Sequence, residues 1–220
     1  MSDHSSRYPE LARAIAPAEG RLGVLLPGLG AVATTTIAGT HLINKGLAKP
    51  FGSLTQMQQI RLGKRSNPRF VPIKEVVPLA ELSDLVFGGW DIFPNDAYQT
   101  AKAAGVLPSN LLDAVRPDLE AIKPWPGAFE QRYVRNLRGT HVKTAATKMD
   151  LADAVMRDIE TFVSLHGIRR SVMVWCGSTE IFSQAGSVHE TLDAFERGLK
   201  ENALEISPSM IYAYAALTLG

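Results

Sequence analysis

"LLPGLGAVATTT", residues 25–36, decides how the rest of the chain is read. The run before it, "RLGVLLP" from Arg21, is short and continuously apolar, as expected of a parallel strand covered on both faces. Pro27 fits only at the end of such a strand, because it has no N–H to give to the ladder. "AVATTTIAGTHLINKG" follows with Ile37, Leu42 and Ile43 on a helical repeat and Gly46 as a stop. Strand, glycine turn and helix open a βαβ unit. Within it, Gly28-Leu29-Gly30-Ala31-Val32-Ala33 fits G-x-G-x-x-A, the alanine-ending form of the dinucleotide fingerprint. The first glycine makes a tight turn, and the second lets backbone amides approach a pyrophosphate. The third position needs only to be small, so that helix and strand pack closely. The helix N-terminus then favours the phosphate charge.

The loop lacks its usual acid. A site for NAD normally places Asp or Glu about 20 residues after the glycines, against a ribose hydroxyl. Between Glu19 and Glu75 there is no acidic residue, and Lys45, Lys49, Arg61, Lys64 and Arg65 stand there instead. Taken alone, that composition points to a 2′-phosphate and NADP, or to no dinucleotide. A second source of the carboxylate is Asp91, at the end of the strand "VFGGWD". Ligands of open α/β sheets sit beyond the carboxyl ends of strands, where Asp91 falls. The competing reading of Asp91 is a turn or helix-capping aspartate.

Outward from these two segments the chain alternates. Residues 46–78, basic and rich in proline and glycine, read as an irregular insertion. A strand from about Asp84 leads to a helix over "NDAYQTAKAAGV", with Asn95 as its N-cap. Residues 105–148 read as short helices and loops. "DLADAVMRDIETFVSLHG" is a strong amphipathic helix closed by Gly167, and "RRSVMVWCG" is a strand. Ser187 and Glu190 have capping-box spacing at the head of "SVHETLDAFERGLK". Ser207 and Pro208 suit the N-cap and first turn of a last helix, which runs to Gly220 without a polar tail. The expected fold is α/β, Rossmann-like and doubly wound, with a mostly parallel sheet and helices on both faces. Residues 1–20 read as an N-terminal extension, 21–206 as the dinucleotide-binding domain with its insertion near 46–78, and 207–220 as the start of a helix leading out of that domain.

Composition excludes several classes. The chain has 220 residues, 45% hydrophobic and 20% charged, enough for a substantial core. A net charge of +1 gives no electrostatic case for nucleic acid or an anionic membrane as partner. No apolar run approaches the ~18 residues of a membrane span, and the polar start lacks a signal peptide's apolar region. Cys176, the single cysteine, allows no internal disulfide and fits a reducing, cytoplasmic setting. It reads as a small buried hydrophobe rather than a nucleophile. His4, His41, His141, His166 and His189 show no metal-ligand spacing. In "VWCGSTE", residues Cys176, Gly177, Ser178 and Thr179 follow a strand directly, where amides and hydroxyls can touch a cofactor or simply cap the next element.

Together, "GLGAVATTT", "FGSLTQ", "GGWDI", "KPWPG", "VWCGSTE" and "EISPSMIYAYAALTLG", in that order from Gly28 to Gly220, resemble the myo-inositol-phosphate synthases (inositol-3-phosphate synthases). The resemblance implies tightly held NAD, glucose 6-phosphate as substrate and a homotetrameric full-length enzyme. It implies hydride removal from the sugar phosphate, enolisation, aldol cyclisation and return of the hydride. Carried over by position, the cofactor loop falls on Gly28, Leu29, Gly30, Ala31, Val32 and Ala33. The aspartate at the adenosine part falls on Asp91, and the loop along the cofactor on Cys176, Gly177, Ser178 and Thr179. Eukaryotic members carry asparagine where Val32, Ala33 and Ser178 stand, so backbone contacts are what carry over there. The family's catalytic lysines and aspartates lie in a second half, which implies no catalytic residue in these 220 positions and no activity of the chain alone. A non-catalytic dinucleotide-binding module and an NADP-dependent oxidoreductase are the alternatives.

Overall fold

In the computed structural model, residues 19–220 are described. The extension expected over residues 1–20, and His4 with it, lies almost wholly outside them. The central sheet has four parallel strands: β1 (Leu22–Pro27), β4 (Leu85–Asp91), β5 (Trp125–Pro126) and β6 (Arg170–Met173). Their spatial order is β5-β4-β1-β6. Counted along the chain as sheet strands, this is 3-2-1-4, the first four positions of the doubly wound order 3-2-1-4-5-6. The direction of winding reverses between β1 and β6.

Alternation along β1 and β4 feeds two cores. Leu26 and Phe87 point to one face, where they meet Ala33, Ile37 and Leu42 of α1 (Ala31–Asn44) and Tyr98 of α4 (Ala97–Ala104). Leu25 and Trp90 point to the other face. There they meet Ile159 and Phe162 of α7 (Lys148–His166) and Tyr212 of α9 (Pro208–Leu219). Each large side chain so buried contributes about 1.5–3 kcal/mol. Helices on both faces of a parallel sheet, as expected, follow from this two-sided burial.

Two glycines of "VFGGWD" exist for packing. A Cβ on Gly88 would lie 2.8 Å from the Phe162 ring, so α7 rests directly on the strand. A Cβ on Gly89 would lie 2.4 Å from the Leu26 carbonyl oxygen and 3.1 Å from Leu29, so the loop after β1 rests on β4 from the opposite side.

The helices end where local chemistry ends them. The four threonines of α1 are poor helix formers by propensity. Here Thr34, Thr36 and Thr40 each return a hydroxyl bond of 2.9 Å to the carbonyl four residues back. Thr147 and Asp150 form a capping box on α7, and Gly167 closes it at φ 61°. That helix starts two residues before the expected Asp150. The cap of α4 is Asp96, not Asn95, because the Asp96 carboxylate receives the Gln99 amide while the Gln99 side chain returns to the Asp96 amide. The Ser187–Glu190 box also does not form. Ser187–His189 is a single 3₁₀ turn, and Thr191 caps α8 (Leu192–Lys200) through the Ala194 amide.

The insertion is more ordered than its composition suggested. It holds α2 (Leu54–Met57), an antiparallel hairpin of β2 (Gln59–Leu62) and β3 (Arg69–Pro72), and α3 (Ile73–Val76). No residue between Leu42 and Phe87 is buried, and Phe51 and Leu54 are mostly exposed. Between α4 and α7 the chain makes α5 (Ser109–Ala114), α6 (Arg116–Glu120) and β5, a two-residue strand read from sequence only as loop.

Candidate functional site

At the carboxyl end of β1 the chain turns through Gly28, whose φ is +90°, a backbone that favours glycine. The amides of Gly28 and Leu29 both donate to the Trp90 carbonyl, at 2.8 and 3.1 Å. The glycine loop is therefore tied to the end of the second core strand, and the residue after Trp90 is Asp91. Trp90 is itself fixed: its indole N–H donates to Asp158 Oδ2 at 2.6 Å, and Lys143 Nζ meets the same oxygen at 2.7 Å.

Gly30 is the N-cap of α1 and offers no side-chain cap. The first bond of the helix runs from the Thr34 amide to the Gly30 carbonyl, leaving the amides of Ala31, Val32 and Ala33 without intrahelical partners. No acidic side chain occupies this first turn. A Cβ built on Gly30 meets nothing within 4 Å, so space lies directly over the open helix end.

On the other side of the switch point, the Val174 and Cys176 amides continue to pair with the Leu25 and Pro27 carbonyls, each at 2.9 Å. Gly177 then lies on Gly28. A Cβ on Gly28 would stand 2.4 Å from the Gly177 nitrogen and Cα, backbone against backbone. The two loops that sequence placed separately thus form one floor.

Above that floor is a cavity of about 330 Å³. Its wall includes Gly28, Gly30, Asp91, Cys176, Gly177 and Ser178, all expected from sequence. Leu29 does not reach it with its side chain, which is 1% exposed in the core. Ala33 is fully buried against the sheet, which is what a small third position requires. Val32 and Thr179 are exposed and lie outside the wall, as does Ala31. The Asp91 carboxylate accepts the Phe93 amide at 3.0 Å. Burial pushes its carboxyl above the usual range, against the opposing pull of backbone amides from Phe93, Ile92 and Leu29. Burial also raises the Cys176 thiol, which makes it a wall residue rather than an activated nucleophile. Tyr212, fully enclosed, accepts the Ala128 amide at 2.8 Å and covers the cavity from the α9 side.

Sequence reasoning missed three contributors. The Trp90 carbonyl acts through its backbone and leaves no trace in residue type. The β5 end supplies Gly127 and Ala128 to the wall from a segment that carries no strand signal. Glu180, at the end of "VWCGSTE", belongs to no local motif, and it lines the same cavity.

These features suit a dinucleotide. An uncapped helix end over open space suits a pyrophosphate. A carboxylate at the end of the second parallel strand suits a ribose hydroxyl. None of Lys45, Lys49, Arg61, Lys64 and Arg65 lines the cavity: Lys45 pairs with Asp118 at the end of α1, and the other four sit in the excursion between α1 and β4. Among the described residues no group of three His, Cys, Asp or Glu gathers as metal ligands, and no helix is long and apolar enough to cross a membrane.

Fold and site together define an NAD-binding Rossmann-type domain. An NAD-binding family model described as myo-inositol-1-phosphate synthase matches residues 22–220. Inositol-3-phosphate synthase 1 of Bacteroides thetaiotaomicron is 49% identical over 205 residues, covering 92% of this chain and 47% of that protein. Inositol-3-phosphate synthase isozyme 1 of Arabidopsis thaliana is 31% identical over 216 residues, covering 91% and 42%. The crystal structure of inositol-3-phosphate synthase from Caenorhabditis elegans superimposes with a TM-score of 0.85 at 28% identity, over 92% of this chain and 43% of that one. The chain belongs to the myo-inositol-1-phosphate synthase family, and it spans less than half the length of these relatives.

Proposed function

We propose that this chain is the NAD-binding part of a cytoplasmic inositol-3-phosphate synthase, which converts glucose 6-phosphate to 1D-myo-inositol 3-phosphate and feeds inositol phospholipid synthesis. The full enzyme would be a homotetramer, with residues 207–220 leading into its catalytic domain. One observation carries the cofactor reading: Gly30, the N-cap of the open α1 helix, and Asp91 line a single cavity at the switch point. In this reading the amides of Gly30, Ala31, Val32 and Ala33 receive the pyrophosphate. Asp91 receives the adenosine ribose, and Cys176, Gly177, Ser178 and Thr179 run along the nicotinamide side. Leu29 contributes by packing rather than contact. Bound NAD supplies a hydride acceptor and, once reduced, a hydride donor. The protein's share is to hold it, orient it and exclude water.

Calorimetry with NAD and NADP, on the wild type and Asp91→Ala, tests the reading. NAD should bind better than NADP, and Asp91→Ala should weaken NAD by about tenfold or more, the loss of a hydrogen bond to a charged group. Preference for NADP together with an indifferent Asp91→Ala would overturn it. The chain supplied with glucose 6-phosphate and NAD should release no inositol phosphate, and measurable product would refute the assignment of catalysis to residues outside it.

A further inference from the structure

Two helix N-termini reach the cavity, and they are treated oppositely. That of α1 is open. That of α9 is closed by Glu180, whose Oε1 accepts the Ser209 amide at 3.0 Å and whose Oε2 accepts the Ser209 hydroxyl at 2.6 Å. Ser207, at the N-cap position, makes no side-chain cap of its own and instead bonds the Ser209 hydroxyl at 2.9 Å. The cap therefore comes from 29 residues upstream, out of the loop that follows β6. That loop is held at both ends. Gly177 is pressed on Gly28, and Glu180 is fastened to α9, with the next amide, of Ile181, donating to the Tyr133 carbonyl at 2.9 Å. Between the anchors lie Ser178 and Thr179.

We infer that Glu180 is a positioning and specificity-determining residue for the cofactor: it clamps the Cys176–Thr179 loop over the cavity and sets a negative charge in the wall on the β6 side. The inference rests on the NAD reading above. In the order 3-2-1-4 the adenosine half belongs with the first strands, where Asp91 stands, and the nicotinamide half with the strand beyond the switch point, which is β6. The oxidised nicotinamide ring is cationic and the reduced ring is neutral. A carboxylate in that wall favours the oxidised form. Removing it also uncovers the positive end of the α9 dipole, which acts in the same direction. The clamp serves both redox forms, whereas the charge discriminates between them.

Two variants separate clamp from charge. Glu180→Gln keeps both contacts, since its amide can accept from the Ser209 N–H and donate to the Ser209 oxygen. Glu180→Ala loses both. NADH is titrated by its fluorescence and NAD by calorimetry against the 220-residue chain, with thermal melts to confirm folding. Glu180→Gln should leave NADH affinity unchanged and weaken NAD by about twofold to fivefold, the range of a charge at a helix end. Glu180→Ala should weaken both forms. An unchanged ratio of NAD to NADH affinity in Glu180→Gln overturns the inference while the NAD reading stands. Wild-type chain that binds neither form overturns the NAD reading and the inference with it. If Glu180→Ala does not melt cooperatively, Glu180→Gln alone decides.

Discussion

Gly28 and Gly30 occupy the same motif, yet alanine at the two positions should fail in different ways. At Gly28 the φ of +90° already disfavours a side chain, and the new Cβ would stand 2.4 Å from the Gly177 backbone and 2.8 Å from the Cys176 carbonyl carbon. Neither neighbour has a side-chain end that can swing aside. Backbone strain of ~1–2 kcal/mol and overpacking of ~1–3 kcal/mol together give a loss of about 2–5 kcal/mol. For a chain of this size that is a fall in Tm of roughly 5–15 °C. At Gly30 the φ is −84° and nothing lies within 4 Å, so Gly30→Ala should melt within about 1 °C of wild type. Its methyl would instead fill the space above the open α1 amides. Losing one hydrogen bond to a charged oxygen is worth ~1.5–3 kcal/mol, so NAD affinity should drop about tenfold to a hundredfold. Differential scanning fluorimetry and calorimetry on both variants read the two effects apart. Gly30→Ala that binds NAD like wild type, or Gly28→Ala that melts like it, would refute the geometry.

Three further outcomes are expected. Burial raises the Asp91 carboxyl, so the folded chain holds that proton more tightly than the unfolded chain does. Asp91 therefore favours folding at acid pH, and this contribution is lost as pH rises from its ordinary value of 3.8 through the raised one. The stability of wild type relative to Asp91→Asn should fall over that window in urea titrations, and a flat difference would refute burial as the dominant cause. Lys148, 5% exposed, donates to the Ala203 and Ile206 carbonyls at 2.9 and 2.6 Å and pairs with Glu130 at 2.9 Å. Lys148→Met strands all three acceptors and should cost about 3–5 kcal/mol in chemical denaturation, and a loss below ~1 kcal/mol would show the network to be dispensable. Among the described residues, limited trypsin should cut first at Lys64 or Arg65, at the tip of the hairpin that contributes no buried residue, leaving the flanking fragments associated. First cleavage within α7 would contradict it.

The sequence was most legible where local pattern and tertiary burial agree. "RLGVLLP" into "GLGAVATTT", and the apolar stripe of α7, each bury what their periodicity advertises. β5 is illegible because Trp125 sits between Pro124 and Pro126 and too few residues exist to alternate. The hairpin was illegible because neither β2 nor β3 has a buried face, so neither carries a periodic signal. On the reading proposed above, the acid of the fingerprint is displaced along the chain, to Asp91. The excursion between α1 and β4 delays the second parallel strand, and Asp91 keeps its place at that strand's end while its distance along the chain grows. Asn95 lost the cap to its neighbour because Asp96 alone has Gln99 three residues on to complete the box. Glu180 could not be paired with Ser209 by inspection, because nothing local links a loop carboxylate to a helix so far downstream.

The contact between Gly28 and Gly177 has a kinetic consequence. A floor made of two main chains touching has no rotamers to change and no side chain to withdraw. The loops on either side of the switch point therefore cannot part like jaws to admit or discharge a ligand. A dinucleotide must slide in along the open mouth and leave the same way, shedding its contacts one after another. On the proposed reading, NAD held in this slot would be recharged in place rather than exchanged at every round.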